Sequence, residues 1–270
     1  MPELPEVETT VRGLAPVLQG ARIARVELRR PDLRKPFPEG LGQRLTGAVV
    51  TRLWRRAKYG LIDTDRDDTL IFHLGMSGRW RIDPDRLDRH DHLLIETAAG
   101  RRLALNDARR FGFVDLVPSA ALDDYPGFVG MGPEPLPAID PAVLRARLAG
   151  KASAIKLALL DQRVIAGLGN IYVCEALWRA RIAPGRKAGS IGRARVAALA
   201  AAIPGVLAEA VAAGGSSLRD YAQPDGQLGY FSTRFDVYGR EGAPCRRGCG
   251  TIRRRVQGGR STFYCPTCQR

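Results

Sequence analysis

The sequence predicts an α+β chain of more than one domain, with a β-rich N-terminal half and a helical C-terminal half that ends in a β-hairpin. Three observations lead to this fold class. Short apolar segments separated by turn residues fill the chain up to about residue 117, helical spacing dominates after residue 140, and four closely spaced cysteines follow residue 244. With 270 residues, 45% of them hydrophobic, the chain is long enough for two ordinary domains and their cores.

The first predicted element is an amphipathic helix that ends near Gly20. Its apolar positions are spaced three and four residues apart, at Leu4, Val7, Val11 and Leu14. Six β-rich segments follow, at residues 22–29, 48–54, 69–74, 92–97, 102–105 and 112–117. Because turn residues rather than helices separate them, they favour an antiparallel sandwich or barrel over βαβ units.

A proline-rich stretch, residues 131–141, is interpreted as the linker after an N-terminal domain of residues 1–130. Asp140 and Pro141 form an N-cap and first-turn pair that starts a helix. Further helices are predicted at residues 154–162, 171–180 and 191–213, the last kinked or broken at Pro204.

The charge of the chain indicates a polyanionic partner. The net charge is +14 and the pI is about 10.2. Only five of the 42 basic residues are lysine, so a genome rich in arginine codons is an alternative explanation. However, residues 240–270 contain eight arginines and one glutamate, and this concentration favours nucleic acid. No apolar run approaches membrane-spanning length and the N-terminus lacks a signal-peptide pattern, so we expect a cytoplasmic protein without a membrane partner.

The C-terminal cysteines predict one structural zinc ion. Two pairs, Cys245 with Cys249 and Cys265 with Cys268, are separated by fifteen residues, a spacing typical of tetrahedral thiolate sites. Two disulfides, or reduced thiols without metal, are the alternatives. Between the pairs, residues 251–256 and 260–264 flank two glycines and predict a hairpin that offers arginines to a phosphate backbone. Cys174 is left over and is interpreted as an ordinary buried thiol.

The N-terminus combines a proline with acidic residues. Glu3, Glu6 and Glu8 cluster near Pro2, and helix capping alone would account for all three acids. A small second residue also favours removal of Met1, which would leave Pro2 as a secondary amine beside two carboxylates. An α-amino group titrates at about 7.7–8.0, so a useful fraction of this amine is neutral near neutral pH.

At this point the chain resembles a known family from end to end. The similar segments, in family order, are residues 1–9, 55–59, 73–78, 89–92, 106–112, 154–156, 167–172 and the cysteine finger. Together they resemble the formamidopyrimidine-DNA glycosylases. The resemblance implies an N-terminal antiparallel β-sandwich with flanking helices, a helix–two-turns–helix domain at residues 142–235 and a zinc finger at residues 236–270. It further implies a monomer that removes oxidised purines from damaged double-stranded DNA.

The resemblance also assigns the catalytic roles. Pro2 would attack C1′ of the damaged nucleotide, and Glu3 would protonate the sugar ring oxygen as the ring opens. Glu6 would orient the amine or shuttle protons. Lys58 would take part in base recognition and elimination, although a solvated surface lysine is the alternative.

Contacts to DNA carry over in the same way. Met76 would enter the space left by the flipped nucleotide, Phe111 would wedge the neighbouring base step and Arg109 would pair with the orphaned base. Taken alone, Met76 and Phe111 would be interpreted as core residues. The implied phosphate anchors are Lys156, Asn170 and Arg260, with His90 as a further candidate that an ordinary strand histidine explains equally well. Residues 214–231 resemble the loop that closes over the everted base.

Two departures from the family pattern stand out. The first cysteine pair is Cys-x3-Cys rather than the usual Cys-x2-Cys, and Ala108 occupies a position usually held by proline. Two other functions stay open at this stage. One is an endonuclease VIII-like glycosylase for oxidised pyrimidines. The other is a non-enzymatic zinc-finger DNA-binding protein, which would leave Pro2, Glu3 and Lys58 unexplained.

Overall fold

The computed structural model describes residues 2–216 and 222–270. The helices in this part of the chain are α1 (Leu4–Leu18), α2 (Leu41–Leu45), α3 (Pro141–Leu148), α4 (Ile155–Leu160), α5 (Asn170–Arg179) and α6 (Arg193–Ala212). The strands are β1 (Ile23–Leu28), β2 (Val50–Arg56), β3 (Tyr59–Thr64), β4 (Asp68–His73), β5 (Arg79–Ile82), β6 (Asp91–Thr97), β7 (Arg102–Asn106), β8 (Phe113–Pro118), β9 (Arg253–Gln257) and β10 (Arg260–Tyr264). These elements fall into two compact units.

The first unit contains residues up to 129 together with the described part of residues 213–230. Two antiparallel sheets, with strand orders β1-β6-β7-β5 and β2-β3-β4-β8, contribute to one hydrophobic core. Ile95 of one sheet and Phe72 of the other belong to this core, and so does Leu14 of α1. The predicted antiparallel sandwich with a flanking helix is therefore confirmed.

Two strands of this unit were not predicted from the sequence. β3 follows β2 after a two-residue turn, Ala57 and Lys58, without the glycine, proline or asparagine that would mark a hairpin. Ala57 takes the positive φ of +51° that this turn requires. β5 has only four residues, two of them arginine, so its apolar alternation is too short to be recognised.

The second unit contains residues 130–212 and 231–270. Asp140 caps α3 as predicted, since its carboxylate accepts the Ala142 backbone N–H at 2.7 Å. α5 packs against α4, α6 and β10. Strands β9 and β10 form the predicted antiparallel hairpin, in which Gln257 pairs with Arg260. The predicted domain boundaries themselves stay a prediction.

Helix α6 is not broken at Pro204, one of the two predicted outcomes, because it continues through this residue as one helix of 20 residues. By length and composition α6 would be able to cross a membrane, but core helices of soluble proteins meet the same criterion. Its apolar positions Leu199, Ile203 and Leu207 are fully buried, and the helix packs on α3 and α5.

Candidate functional site

The predicted nucleophile lies at a buried N-terminus of α1. Pro2 is buried, and Glu3 and Glu6 are only 2% and 1% exposed. The two glutamates form a reciprocal capping box, in which the Glu3 backbone N–H donates to Glu6 Oε2 at 2.8 Å. The capping interpretation is therefore correct, and the same hydrogen bonds hold the acids beside Pro2. Met1 lies outside the described residues.

Glu6 also holds the beginning of the predicted closing loop. Its second oxygen, Oε1, accepts the Ser216 backbone N–H at 2.8 Å. Residues 217–221 of this loop lie outside the described residues. Beyond them, the Pro224 carbonyl accepts the Ile82 backbone N–H at 2.8 Å, which fixes the second half of the loop to β5. Both oxygens of Glu6 accept backbone donors, an arrangement that suits orientation better than proton shuttling.

Lys58 lies in the turn between β2 and β3 and is half-buried. The neighbouring Arg55 side chain fixes this turn, because it donates to the Ala57 carbonyl and to Glu8 Oε2, both at 2.9 Å. Burial alone would raise the pKa of Glu8, but hydrogen bonds and charge from Arg12 and Arg55 outweigh burial and lower it. An ionised Glu8 therefore ties the turn that carries Lys58 to α1.

His73, at the end of β4, lies within the electrostatic field of Lys58. Burial, followed by the charges of Lys58 and Arg34, lowers the pKa of His73 to about 4. The neutral ring stacks on Phe113, and its Nδ1 accepts the Gly75 backbone N–H at 3.0 Å. A neutral His73 thus holds the loop in which Met76 follows Gly75.

The loops that carry Met76, Arg109 and Phe111 form one hydrogen-bonded platform. Ser77 Oγ donates to Asp107 Oδ1 at 2.6 Å and accepts the Arg109 backbone N–H at 3.1 Å. Asp107 Oδ2 accepts the Gly112 backbone N–H at 2.8 Å, and Asp107 is fully buried.

Packing brings the two loops still closer. Gly75 has a φ of +60°, and a Cβ at this position would lie 2.3 Å from the Phe111 carbonyl carbon. The Arg109 guanidinium lies 4.8 Å from the centre of the Phe111 ring, which is 46% exposed. The three predicted DNA-contacting residues therefore lie on adjoining loops, and Phe111 is not a core residue.

His90 lies just before β6 rather than within a strand. Its ring Nε2 accepts the Arg89 Nε–H at 3.0 Å, and its carbonyl accepts the Asp107 backbone N–H at 3.0 Å. His90 therefore borders the Asp107 platform, and its role as a phosphate contact stays a prediction.

The second unit contains the other predicted anchors. Lys156 is fully buried, and its ammonium donates to the Ser261 carbonyl at 3.0 Å and to Thr262 Oγ1 at 2.7 Å. Asn170 Nδ2 donates to the same carbonyl at 3.0 Å. Both side chains thus brace β10, whose first residue, Arg260, is exposed.

The four finger cysteines fit a tetrahedral zinc ion. Their sulfurs all lie within 4.8 Å of one another. Cys249 Sγ is 3.6 Å from both Cys245 Sγ and Cys265 Sγ, and Cys245 is 4.0 Å from Cys268. Zn–S bonds of about 2.3 Å in a tetrahedron place sulfurs about 3.8 Å apart. The Cys-x3-Cys turn closes through Gly248, which has a φ of +69° and donates its N–H to the Cys245 carbonyl.

Cys174 is fully buried, as expected, in the same apolar cluster as Cys245 and Cys265. Several residues of the site were not assigned a role from the sequence, although all of them lie inside the motifs that were identified. They are Glu8, Arg55, His73, Ser77 and Asp107. Their positions next to assigned residues were the available signal, but the Glu8–Arg55 and Ser77–Asp107 contacts join residues 47 and 30 positions apart.

Comparison with known proteins decides the family. Residues 1–114 match the model of the formamidopyrimidine-DNA glycosylase N-terminal domain, residues 131–222 match its H2TH domain, and residues 242–270 match a zinc finger found in FPG and IleRS. The chain belongs to the formamidopyrimidine-DNA glycosylase family.

Relatives along the whole chain agree with this family. The chain is 67% identical to a formamidopyrimidine-DNA glycosylase of Erythrobacter litoralis and 61% identical to one of Novosphingobium aromaticivorans, with full coverage of both proteins. Among solved structures, it is similar to the MutM (FPG) protein of Thermus thermophilus, with a TM-score of 0.89, 41% identity and coverage of 99% of this chain and 98% of that one. A complex of Lactococcus lactis Fpg with abasic-site DNA has a TM-score of 0.91 at 35% identity, with both chains fully covered.

Family membership confirms the resemblance and favours neither the endonuclease VIII-like nor the non-enzymatic alternative. As a formamidopyrimidine-DNA glycosylase family member with a four-cysteine finger of fitting geometry, the chain has one structural zinc site. The four thiolates close the coordination sphere, so the metal stabilises the finger and leaves no position for a reacting water.

Proposed function

We propose that this chain is a bifunctional DNA glycosylase that excises oxidised purines from duplex DNA and then cleaves the strand at the abasic site. The observation that carries this proposal is the buried N-terminus of α1, where the capping box places Glu3 and Glu6 beside Pro2. Its relatives support the substrate class, since Lactococcus lactis Fpg variants were solved with Fapy-dG containing DNA.

The reaction requires removal of Met1, which frees the secondary amine of Pro2. The amine lone pair forms a bond to C1′, and the glycosidic bond breaks with its electron pair going to the base, which takes up a proton while the nitrogen loses its own. The C1′–O4′ bond then opens, O4′ takes a proton and the nitrogen becomes an iminium ion. A secondary amine leaves no N–H to lose, so this cation persists as an electron sink. Loss of a C2′ proton expels the 3′ phosphate, and a second elimination expels the 5′ phosphate.

Glu3 is the general acid that protonates O4′. Glu6 is a positioning group, because its two oxygens accept the backbone N–H groups of Glu3 and Ser216. Lys58 takes part in base recognition and elimination. A lysine ammonium can give up a proton in this chemistry, whereas an arginine guanidinium cannot. The Arg55–Glu8 ion pair holds the turn of Lys58 on the helix that begins beside Pro2.

DNA recognition uses the platform of Asp107 in the first unit and the zinc hairpin in the second. A base must leave the stack before its C1′ is reached. Met76 then enters the space that it leaves, Phe111 wedges the neighbouring base step and Arg109 pairs with the orphaned base. Arg260, with Lys156 and Asn170 bracing its strand, contacts phosphate. The enzyme works as a monomer on chromosomal DNA in the cytoplasm, associated with the nucleoid.

Borohydride trapping tests this function. Processed enzyme is incubated with a duplex that contains 8-oxoguanine opposite cytosine, and the reduced adduct is digested and mapped. We expect the adduct on Pro2; an adduct on Lys58 or another lysine would exclude the mechanism. Glu3→Gln should still bind damaged DNA but lose base excision. Glu27→Gln is the control, because Glu27 forms a surface ion pair with Arg25 on β1 and should excise normally.

A further inference from the structure

Arg247 is the middle residue of the Cys245–Cys249 turn, where this chain has three intervening residues instead of the usual two. Its guanidinium carbon lies 3.8 Å from the centre of the Trp178 ring. The same group donates to the Trp178 carbonyl at 2.8 Å, to the Arg179 carbonyl at 3.2 Å and to Cys268 Sγ at 3.5 Å. Arg247 is therefore held on three sides within the second unit.

Two of these contacts stabilise the end of α5. The helix ends at Arg179, where the Trp178 carbonyl already accepts the Arg181 backbone N–H at 3.1 Å and Arg247 adds a side-chain donor to it. A guanidinium that donates to the carbonyls of residues 178 and 179 adds donors at this helix end and places a positive charge at the negative end of the helix dipole.

The other contacts reach the metal ligands. Trp178, over which Arg247 stacks, donates its indole N–H to Cys245 Sγ at 3.4 Å. One arginine–tryptophan pair thus donates to two of the four zinc thiolates, Cys245 and Cys268. Four thiolates outweigh the charge of Zn²⁺, so the cluster is anionic, and N–H donors and a nearby cation stabilise it.

We propose that Arg247 is a positioning residue of the zinc site that clamps the finger to the C-terminus of α5. Its guanidinium stabilises the Cys268 thiolate directly and the Cys245 thiolate through Trp178. It thereby couples metal retention to α5, the helix whose first residue is Asn170. Arg247 lies within the longer Cys-x3-Cys turn. The clamp is independent of the Pro2 chemistry and stands whether or not that mechanism holds.

The test uses full-length, zinc-loaded protein and a chromogenic chelator as the competing ligand. Loss of an outer-sphere partner typically weakens metal affinity by about 10–100-fold, and we expect Arg247→Ala to weaken zinc affinity by about 10-fold. Arg247→Lys keeps the charge but loses the planar fork, and should fall between Arg247→Ala and the parent protein. Arg193→Ala removes an exposed arginine at the start of α6 and is the matched charge control.

The absorption spectrum of cobalt-substituted protein provides a measurement that general destabilisation does not change. N–H···S hydrogen bonds lower the energy of the sulfur lone pairs, so their loss should shift the thiolate-to-cobalt charge-transfer band to lower energy. We expect this shift in Arg247→Ala and in Trp178→Phe, which retains the stacking ring but not the indole N–H. Parent-like zinc affinity together with an unshifted band in Arg247→Ala or Arg247→Lys would overturn the proposal.

Discussion

The Ser77 hydroxyl donates a 2.6 Å hydrogen bond to the buried Asp107 carboxylate, and this bond joins the loop of Met76 to the loop of Arg109 and Phe111. The two residues are 30 positions apart in the sequence. Because Ser77 also accepts the Arg109 backbone N–H, one hydroxyl aligns both loops. The three side chains proposed to contact the DNA around the flipped nucleotide are thus presented by one platform rather than by independent loops.

Removal of this hydroxyl should slow excision as well as destabilise the fold. Ser77→Ala leaves the Arg109 N–H and one oxygen of Asp107 without their partner, at a cost of about 1–3 kcal/mol. We expect the rate of 8-oxoguanine excision to fall by about tenfold, a loss equivalent to about 1.4 kcal/mol in the barrier. Ser119→Ala is the control. The Ser119 hydroxyl forms a 2.8 Å hydrogen bond with the Thr69 hydroxyl and takes no part in the platform. Equal loss of excision in both variants would refute the platform.

Arg109 should set the choice of the base opposite the lesion. Its donors match the O2 and N3 acceptors of cytosine, whereas adenine presents an opposing N6 donor, and a contact of this kind discriminates by about 1–3 kcal/mol. We expect faster excision opposite cytosine than opposite adenine, and a smaller ratio of the two rates in Arg109→Ala. Cleavage of a preformed abasic site should be largely unchanged. Arg110→Ala is the adjacent control. If Arg110→Ala lost the preference for cytosine and Arg109→Ala retained it, Arg110 would be the residue that recognises the opposite base.

His73 should make stability depend on pH below neutrality. Its folded-state pKa of about 4 lies below the usual value of 6.5, so the unfolded chain takes up a proton that the folded chain excludes. The folded state therefore loses stability as the pH falls from about 6.5 towards 4, by at most about 3 kcal/mol from this group. His73→Asn keeps an acceptor for the Gly75 N–H but cannot be protonated. Denaturant unfolding at pH 7.5 and pH 4.5 should show a smaller decrease for the variant; an identical decrease would contradict the assignment.

Arg260 and Lys156 should respond differently to substitution. Arg260 is exposed, so Arg260→Ala should weaken binding to all duplexes alike and reduce the slope of log K against log salt by about 0.9, one phosphate contact, without loss of stability. Lys156→Met removes the buried donor to Ser261 and Thr262 and should lower the free energy of unfolding by about 1–3 kcal/mol. If Lys156→Met kept its full stability but had a reduced salt slope, the Lys156 ammonium would contact a phosphate in the complex rather than the hairpin.

Patterns of short range were predictable from the sequence. The spacing of Leu4, Val7 and Leu14 predicts α1, and the cysteine spacing predicts the finger, because each depends on residues a few positions apart. β3 was missed because its turn, Ala57 and Lys58, has no turn-forming residue and is held instead by Arg55. α6 continues through Pro204 because burial of its apolar positions outweighs the local cost of proline.

By itself, the sequence determined the family, the zinc ligands and the chemistry available at the N-terminus, since all three depend on which residues are present and in what order. The tertiary structure alone decided which partners hold these side chains in place. Glu6 meets Ser216 across 210 residues, Lys156 meets Thr262 across 106, and Arg247 meets Trp178 across 69. Buried polar groups must find hydrogen-bond partners wherever the folded chain brings them, and no local pattern in the sequence records which partner that is.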